Sequence, residues 1–166
     1  PADEIKELIK NRPGSGILSI GRIHRDSLDS VKMLAAELDW PVFADITSGL
    51  RLGKKCPNRI TYYDQLMYEE LDTFNWETEA IWHIGFPPTS KRLLTYWEQK
   101  PATQMVWISG NSERHDQSNH FSWKIETDIG DVAFPPEDDD EDFYVTINGN
   151  DVHFNDLMAS LRQDNK

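Results

Sequence analysis

The sequence is poor in what disulfide scaffolds, thiolate metal sites and membrane spans are made of. A single cysteine, Cys56, in 166 residues excludes an intrachain disulfide and a sulfur-ligated zinc cluster. No apolar run approaches the roughly 18 residues of a membrane helix. The opening PADEIKELIKNRPG also lacks the basic-then-apolar pattern of a secretory leader. Basic residues are scarce: 17 Lys and Arg stand against 29 Asp and Glu, a formal net charge of −12. That balance excludes the broad basic footprint with which a protein neutralises nucleic acid or an anionic membrane. GxSxG, the P-loop and the Glu-bearing zinc helix are all missing, so an autonomous hydrolase or nucleoside triphosphatase has no support. These absences suit a soluble, intracellular domain. A chain that opens at Pro1 directly into a helical pattern reads as a fragment of a longer protein.

What is present alternates. Ile5, Leu8 and Ile9 share one helical face and NRPGSG stops that helix. Ile17 to Ile20 is a short buried strand. Asp26 to Asp39 is a second helix with Asp26 or Ser27 as cap, ended by Trp40 and Pro41. PVFAD is a strand ending at Asp45, and Tyr62 to Leu71 is helical. Ala80 to Gly85 is a strand, Ser90 to Gln99 a helix and Gln104 to Ser109 a strand. Short apolar strands between amphipathic helices predict a three-layer α/β fold: an open, mostly parallel, Rossmann-like sheet with helices on both faces. This domain is expected over 1–134. HFSWKIETDI within it alternates like an extended segment. An acidic loop follows over 135–142, and then a C-terminal extension over 143–166. In the extension Asn148-Gly149 signals a hairpin, and Asn155 can cap a last helix through Leu161.

Ligands of open α/β sheets bind beyond the carboxyl ends of the strands. The loops there are GRIHRD, DITSGLRLGKK, GFPPTSKR and SGNSERHDQ, which hold Arg22, Arg25, Arg51, Lys54, Lys55, Lys91, Arg92 and Arg114. In so acidic a chain they suggest an edge built to meet carboxylates or phosphates. The plain alternative is ordinary loop charges paired with surface acids. GFPPTSKRLL is the most unusual stretch. Thr89 or Ser90 can cap a helix, yet Lys91 and Arg92 then lie in its first turn, where the helix dipole disfavours cations.

Other candidates are weaker. Gly14 and Gly16 precede their strand, so only Gly21 occupies a position a dinucleotide fingerprint requires. His115, Asp116 and His120 have no defined third metal ligand and read as loop polars. His24 and His83 each flank a strand and read equally well as buried, hydrogen-bonded histidines. Trp76, Trp82, Trp97, Trp107 and Trp123 are expected in the core or between domains.

GILSIGRIH, LAAELDWPVFADITSGLR and GFPPTSKRLLTYW occur in the order found in the 2-succinyl-5-enolpyruvyl-6-hydroxy-3-cyclohexene-1-carboxylate synthase family. These are thiamine-diphosphate enzymes of menaquinone and phylloquinone formation, and Pro1 to about Ile129 resembles their central domain. WPVFADITSGLRL and SERHDQSNHFSWKIETDI look most like the plant and algal branch.

The resemblance implies a transferase of three α/β domains that decarboxylates 2-oxoglutarate and adds the succinyl-semialdehyde unit to isochorismate. Thiamine diphosphate and Mg2+ would be held by the pyrimidine-binding and diphosphate-binding domains. This chain lacks the GDG-to-Asn motif and the cofactor-activating Glu, so it would bind neither cofactor nor metal and would be inactive alone. By position Lys91 and Arg92, with Ser90, match the motif that holds substrate carboxylates; Arg22, Arg25 and Arg51 follow from loop placement only. The full enzyme is expected to be a homo-oligomer, plastidic in a plant or alga and cytoplasmic in a bacterium. The tail from Pro135 onward departs from the bacterial pattern. Two other readings stay open: a nucleotide module for FAD or ADP, and an interaction domain whose acidic run recruits a basic partner.

Overall fold

Four of the segments read as strands are short, nearly unbroken apolar runs, which only a sheet covered on both faces can bury. The computed structural model describes residues 2–52, 56–69, 78–111 and 120–132, and the backbone of 144–147 and 150–153. The apolar runs become β1 (Gly16–Ile20), β2 (Val42–Ala44), β3 (Ala80–Ile84) and β4 (Gln104–Ser109). The alternating segment near the end of this unit adds β5 (Trp123–Glu126). All pair in parallel, in the order β2-β1-β3-β4-β5. The order reverses between β1 and β3, so a crevice opens there at the carboxyl ends of the strands.

The two faces follow from the period of the strand. Leu18, Val42, Trp82 and Val106 point to one side. There they pack against α1 (Ala2–Lys10) through Ile5 and Leu8, and against α2 (Leu28–Leu38) through Val31, Leu34 and Leu38. Ile17, Phe43, Ile81 and Met105 point to the other, against α3 (Tyr63–Glu69) and α4 (Lys91–Gln99). The expected three-layer architecture is therefore present. Of the tryptophans, Trp82, Trp97 and Trp107 are buried and Trp123 is half exposed; Trp76 lies outside the described residues.

Some local expectations are corrected. Neither Asp26 nor Ser27 caps α2 through its side chain: Arg25–Ser27 is a single 3-10 turn, and the Ser27 hydroxyl donates instead to Asp128, 2.6 Å away. Helix α2 ends before Trp40, at Asp39 in the left-handed region (φ 53°). Helix α4 starts as expected, with Ser90 as cap accepting from the Leu93 amide. After β2 the chain returns along that strand's free edge: the Val42 amide donates to Asn58 O and the Ile60 amide to Val42 O. The return covers an edge that would otherwise expose unpaired backbone groups, and it delivers the chain to α3.

The chain forms two compact units, 1–134 and 135–166. In the second, β6 (Tyr144–Ile147) and β7 (Asn150–His153) pair antiparallel, Ile147 opposite Asn150. Asn148-Gly149, the acidic run and the expected helix after Asn155 lie outside the described residues.

Candidate functional site

The loops after β1 and β3 interlock at the switch point. The Gly21 amide donates to Ile84 O, the Gly85 amide to Ile108 O and the Phe86 amide to Arg22 O. A side chain at Gly21 would place its Cβ 1.8 Å from Phe86 O, and Gly85 has φ +89°. Gly21 is thus explained by the close passage of the Phe86 carbonyl, with no call on a bound diphosphate.

Beneath this crossing lies His83, fully buried among Trp97, Trp107 and Phe121. Its Nε2 is 2.8 Å from Phe86 O, which can only accept, so Nε2 carries the proton; Nδ1 accepts from the Ser19 hydroxyl at 3.0 Å. Burial lowers its pKa to about 4 against the raising effects of Phe86 and Asp45. The folded state therefore resists a proton that the unfolded chain takes up near pH 6.5. Stability from this group is complete above pH 6.5 and lost as pH falls to about 4, by about 3 kcal/mol in all. Urea unfolding from pH 7.5 to 4.5 should show this loss in the wild-type chain and most of it removed in His83→Gln; parallel profiles would refute it.

Asp45, at the carboxyl end of β2, fastens two loops together. One carboxylate oxygen accepts from the Thr47 amide and hydroxyl (2.9 and 2.7 Å), the other from the Thr89 amide and hydroxyl (2.7 and 2.8 Å). Burial pushes its pKa up, but these four bonds together pull it below the usual carboxylate value. Thr89 immediately precedes the start of α4, so Asp45 fixes where that start lies.

The first turn of α4 carries Lys91 and Arg92 and no acid. The missing negative charge comes from α3. Asp64 accepts from the Ser90 hydroxyl through Oδ1 and from Arg92 Nη1 through Oδ2, the latter at 2.5 Å. The Arg92 guanidinium also lies 4.7 Å from the ring centroid of Tyr68. Its side chain stays 41 % exposed. Lys91 is exposed and, among the described residues, forms no ion pair. Arg51 lies 5.7 Å from the ring of Tyr63, next to Asp64. The Tyr63 hydroxyl is pushed up to about 12 by burial, with the charge of Asp45 adding to it.

Arg22 stands elsewhere, 4.3 Å from the Phe86 ring, on the wall of a cleft of about 540 Å3 at the switch point. Ser109, Gly110 and Asn111 line it, together with the acids Glu126, Asp128 and Asp131. For Asp128, burial raises the pKa, while Ser27, the Gly130 amide and nearby His24 lower it to below the usual value. His24 lines this cleft and is exposed, which corrects the expectation of a buried histidine. Arg25 is exposed at the 3-10 turn and does not line the cleft. Lys54, Lys55, Arg114, His115 and Asp116 lie outside the described residues.

The structure thus joins Ser90 and Arg92 to one carboxylate, leaves Lys91 open beside them, and separates Arg22 and Arg25 into other surroundings. Sequence reasoning missed Asp64, Tyr68 and the fastening role of Asp45. The Asp64–Tyr68 spacing of one helical turn is a signal, but only once their common partner is known.

A family model described as the middle domain of thiamine pyrophosphate enzymes matches residues 2–144. A 2-succinyl-5-enolpyruvyl-6-hydroxy-3-cyclohexene-1-carboxylate synthase of Synechococcus elongatus is 25% identical over 140 residues, covering 81% of this chain and 24% of the relative. The synthase of Rubrobacter xylanophilus is 30% identical over 120 residues, covering 71% of this chain and 21% of that protein. Protein PHYLLO, chloroplastic, of Arabidopsis thaliana is 29% identical over 135 residues, covering 76% of this chain and 8% of the relative. The chain spans about a quarter or less of the length of these relatives. With the parallel sheet and the family match in agreement, the chain belongs to the middle domains of thiamine pyrophosphate enzymes.

Proposed function

We propose that this domain serves a synthase that decarboxylates 2-oxoglutarate and adds the resulting four-carbon unit to isochorismate. Its own contribution is a seat for substrate carboxylate at Lys91 and Arg92. One observation carries the reading: an exposed Lys91 and a half-exposed Arg92 at the amino end of α4, with the acid-free first turn behind them. A carboxylate arriving there meets an ammonium, the open edge of a guanidinium and the positive end of a helix. Ser90 supports the seat as the helix cap. For it to contact substrate, its hydroxyl would have to release Asp64. Arg51, near Tyr63, can add to the local potential, whereas Arg22 and Arg25 would act at other places.

Thiamine diphosphate, when bound, would supply the carbanion chemistry of decarboxylation and addition. Among the described residues no group of three or more His, Cys, Asp or Glu side chains is placed to hold a metal ion. We assign cofactor and Mg2+ to the pyrimidine-binding and diphosphate-binding domains of the same polypeptide and expect no turnover by this domain alone. The full enzyme is taken to be a homo-oligomer. It would be plastidic in a plant or alga, as the name of the Arabidopsis relative suggests, and cytoplasmic in a bacterium. No helix among the described residues is long and apolar enough to cross a membrane. A nucleotide in the switch-point cleft would bring its phosphates toward Glu126, Asp128 and Asp131, which disfavours the FAD or ADP alternative.

Steady-state kinetics of the full-length synthase test the reading. Lys91→Ala and Arg92→Ala are each expected to raise KM for a carboxylate substrate by about 10-fold or more, the loss of one charge-assisted contact of roughly 1.5–3 kcal/mol. Unchanged KM in both would reject the assignment.

A further inference from the structure

We infer that Asp64 and Tyr68, one turn apart on α3, are positioning residues that aim Arg92 at the substrate carboxylate; the inference rests on the function proposed above. A free arginine has many rotamers, and ordering it on binding opposes affinity. Here that ordering is done in advance. Asp64 takes one N–H of the guanidinium, at Nη1, and Tyr68 covers one of its faces. The pairing is not the fork-on-fork kind, because the second oxygen of Asp64 is held by Ser90. An Asp64 carboxylate seated on both guanidinium nitrogens would compete with substrate. Split between Ser90 and Nη1, it leaves most of the fork open for a second carboxylate.

The alternative is that Asp64 occupies the substrate's seat and must be displaced. Its surroundings argue against this. Tyr63 and Met67, on either side of Asp64 in α3, are each 1% exposed and lie in one core with Leu93 and Trp97 of α4. Phe43 stacks on Tyr63 with the rings 7° from parallel. Helix α3 is thereby seated on the sheet and on α4, and Asp64 is held by a rigid element. Residues four apart share a helix face, so the same element delivers both the edge contact and the face contact. Tyr68 itself is 69% exposed and contributes nothing visible to the core, which suits a surface kept for Arg92.

The test is a double-mutant cycle in the full-length synthase, reading kcat and KM for 2-oxoglutarate and isochorismate separately. Asp64→Asn should raise KM for one carboxylate substrate about two- to fivefold with kcat within about twofold, the range of a partly exposed charge pair. It should add little on top of Arg92→Ala. Tyr68→Leu should raise the same KM about threefold. Asp29→Asn, which breaks the exposed pair with Lys32 on α2, should leave both constants unchanged. If Arg92→Ala raises KM while Asp64→Asn leaves it unchanged, lowers it, or adds in full, the positioning role is overturned and the carboxylate seat stands; a lowered KM would mean that Asp64 competes with substrate. If Arg92→Ala alone has no effect on either KM, the seat fails at Arg92 and this inference fails with it. Should Asp64→Asn not fold, Tyr68→Leu decides at its exposed position, and an unchanged KM there overturns the proposal.

Discussion

Gly85→Ala is expected to destabilise the 1–134 unit by about 4 kcal/mol, a large part of what holds an ordinary domain folded. Two costs add. Gly85 has φ +89°, where an L side chain is strained. Its new Cβ would also stand 2.4 Å from Arg22 O and 2.7 Å from Ile23 Cγ2. The first neighbour is backbone, and it cannot move freely because the Phe86 amide is bonded to that same oxygen. Relief would have to separate the β1 and β3 loops, and with them the contacts from His83 and Trp107 to the backbone at Phe86 and Gly85. Overpacking against a fixed backbone costs about 1–3 kcal/mol, and a strained backbone conformation a similar amount. Gly14→Ala is the matched control, since nothing lies within 4 Å of its added Cβ. Urea unfolding followed by tryptophan fluorescence should separate the two variants widely; equal midpoints would defeat this account of the crossing.

That crossing also shows where the sequence was legible. Ile17–Ile20, Ala80–Ile84 and Gln104–Ser109 could be read because a strand buried on both faces must be apolar almost throughout, and no distant partner is needed to see it. Helix α4 was legible for a similar local reason: two prolines and a capping serine set its start. Contacts between remote segments were not legible. Gly21 is where a dinucleotide fingerprint would put a glycine, but the atom that requires it, Phe86 O, comes from a loop over sixty residues away. Ser27 has the right chemistry for a cap, yet its hydroxyl is drawn to Asp128. His24 and His83 look alike in sequence as histidines near a strand, but His83 lies within β3 and is fully buried, whereas His24 sits in the loop beyond β1 and is exposed. At the candidate site, Lys91 and Arg92 stood out because cations are unfavourable in a first turn. The acid that offsets them, Asp64, is just one of many acids until the fold places it.

Asp45→Ala is expected to cost about 3 kcal/mol or more and to loosen the start of α4. Asp45 is 1% exposed, and its carboxylate accepts from two backbone amides and two hydroxyls, those of Thr47 and Thr89. Its removal leaves those donors without their partner, and an unsatisfied buried group costs about 1–3 kcal/mol. Asp45→Asn should be milder in shape but still harmful, because its amide nitrogen must face donors rather than accept from them. Acid distinguishes this group from His83. The native pKa of Asp45 is lowered from the ordinary value of 3.8, so its contribution is complete above that value and is lost as pH falls below it. The contribution of His83 is lost earlier, between 6.5 and about 4. Stability measured from pH 7.5 to 3 should therefore fall in two stages, with Asp45→Asn removing the lower one and, because the Asp45 charge raises the His83 pKa, shifting the lower end of the upper one toward more acid pH. Under the function proposed above, the same variant in the full-length protein should raise KM for a carboxylate substrate, because Thr89 would no longer fix the position of Lys91 and Arg92. A variant that is destabilised yet retains wild-type KM would show that Asp45 holds the loops together without setting the geometry of the seat.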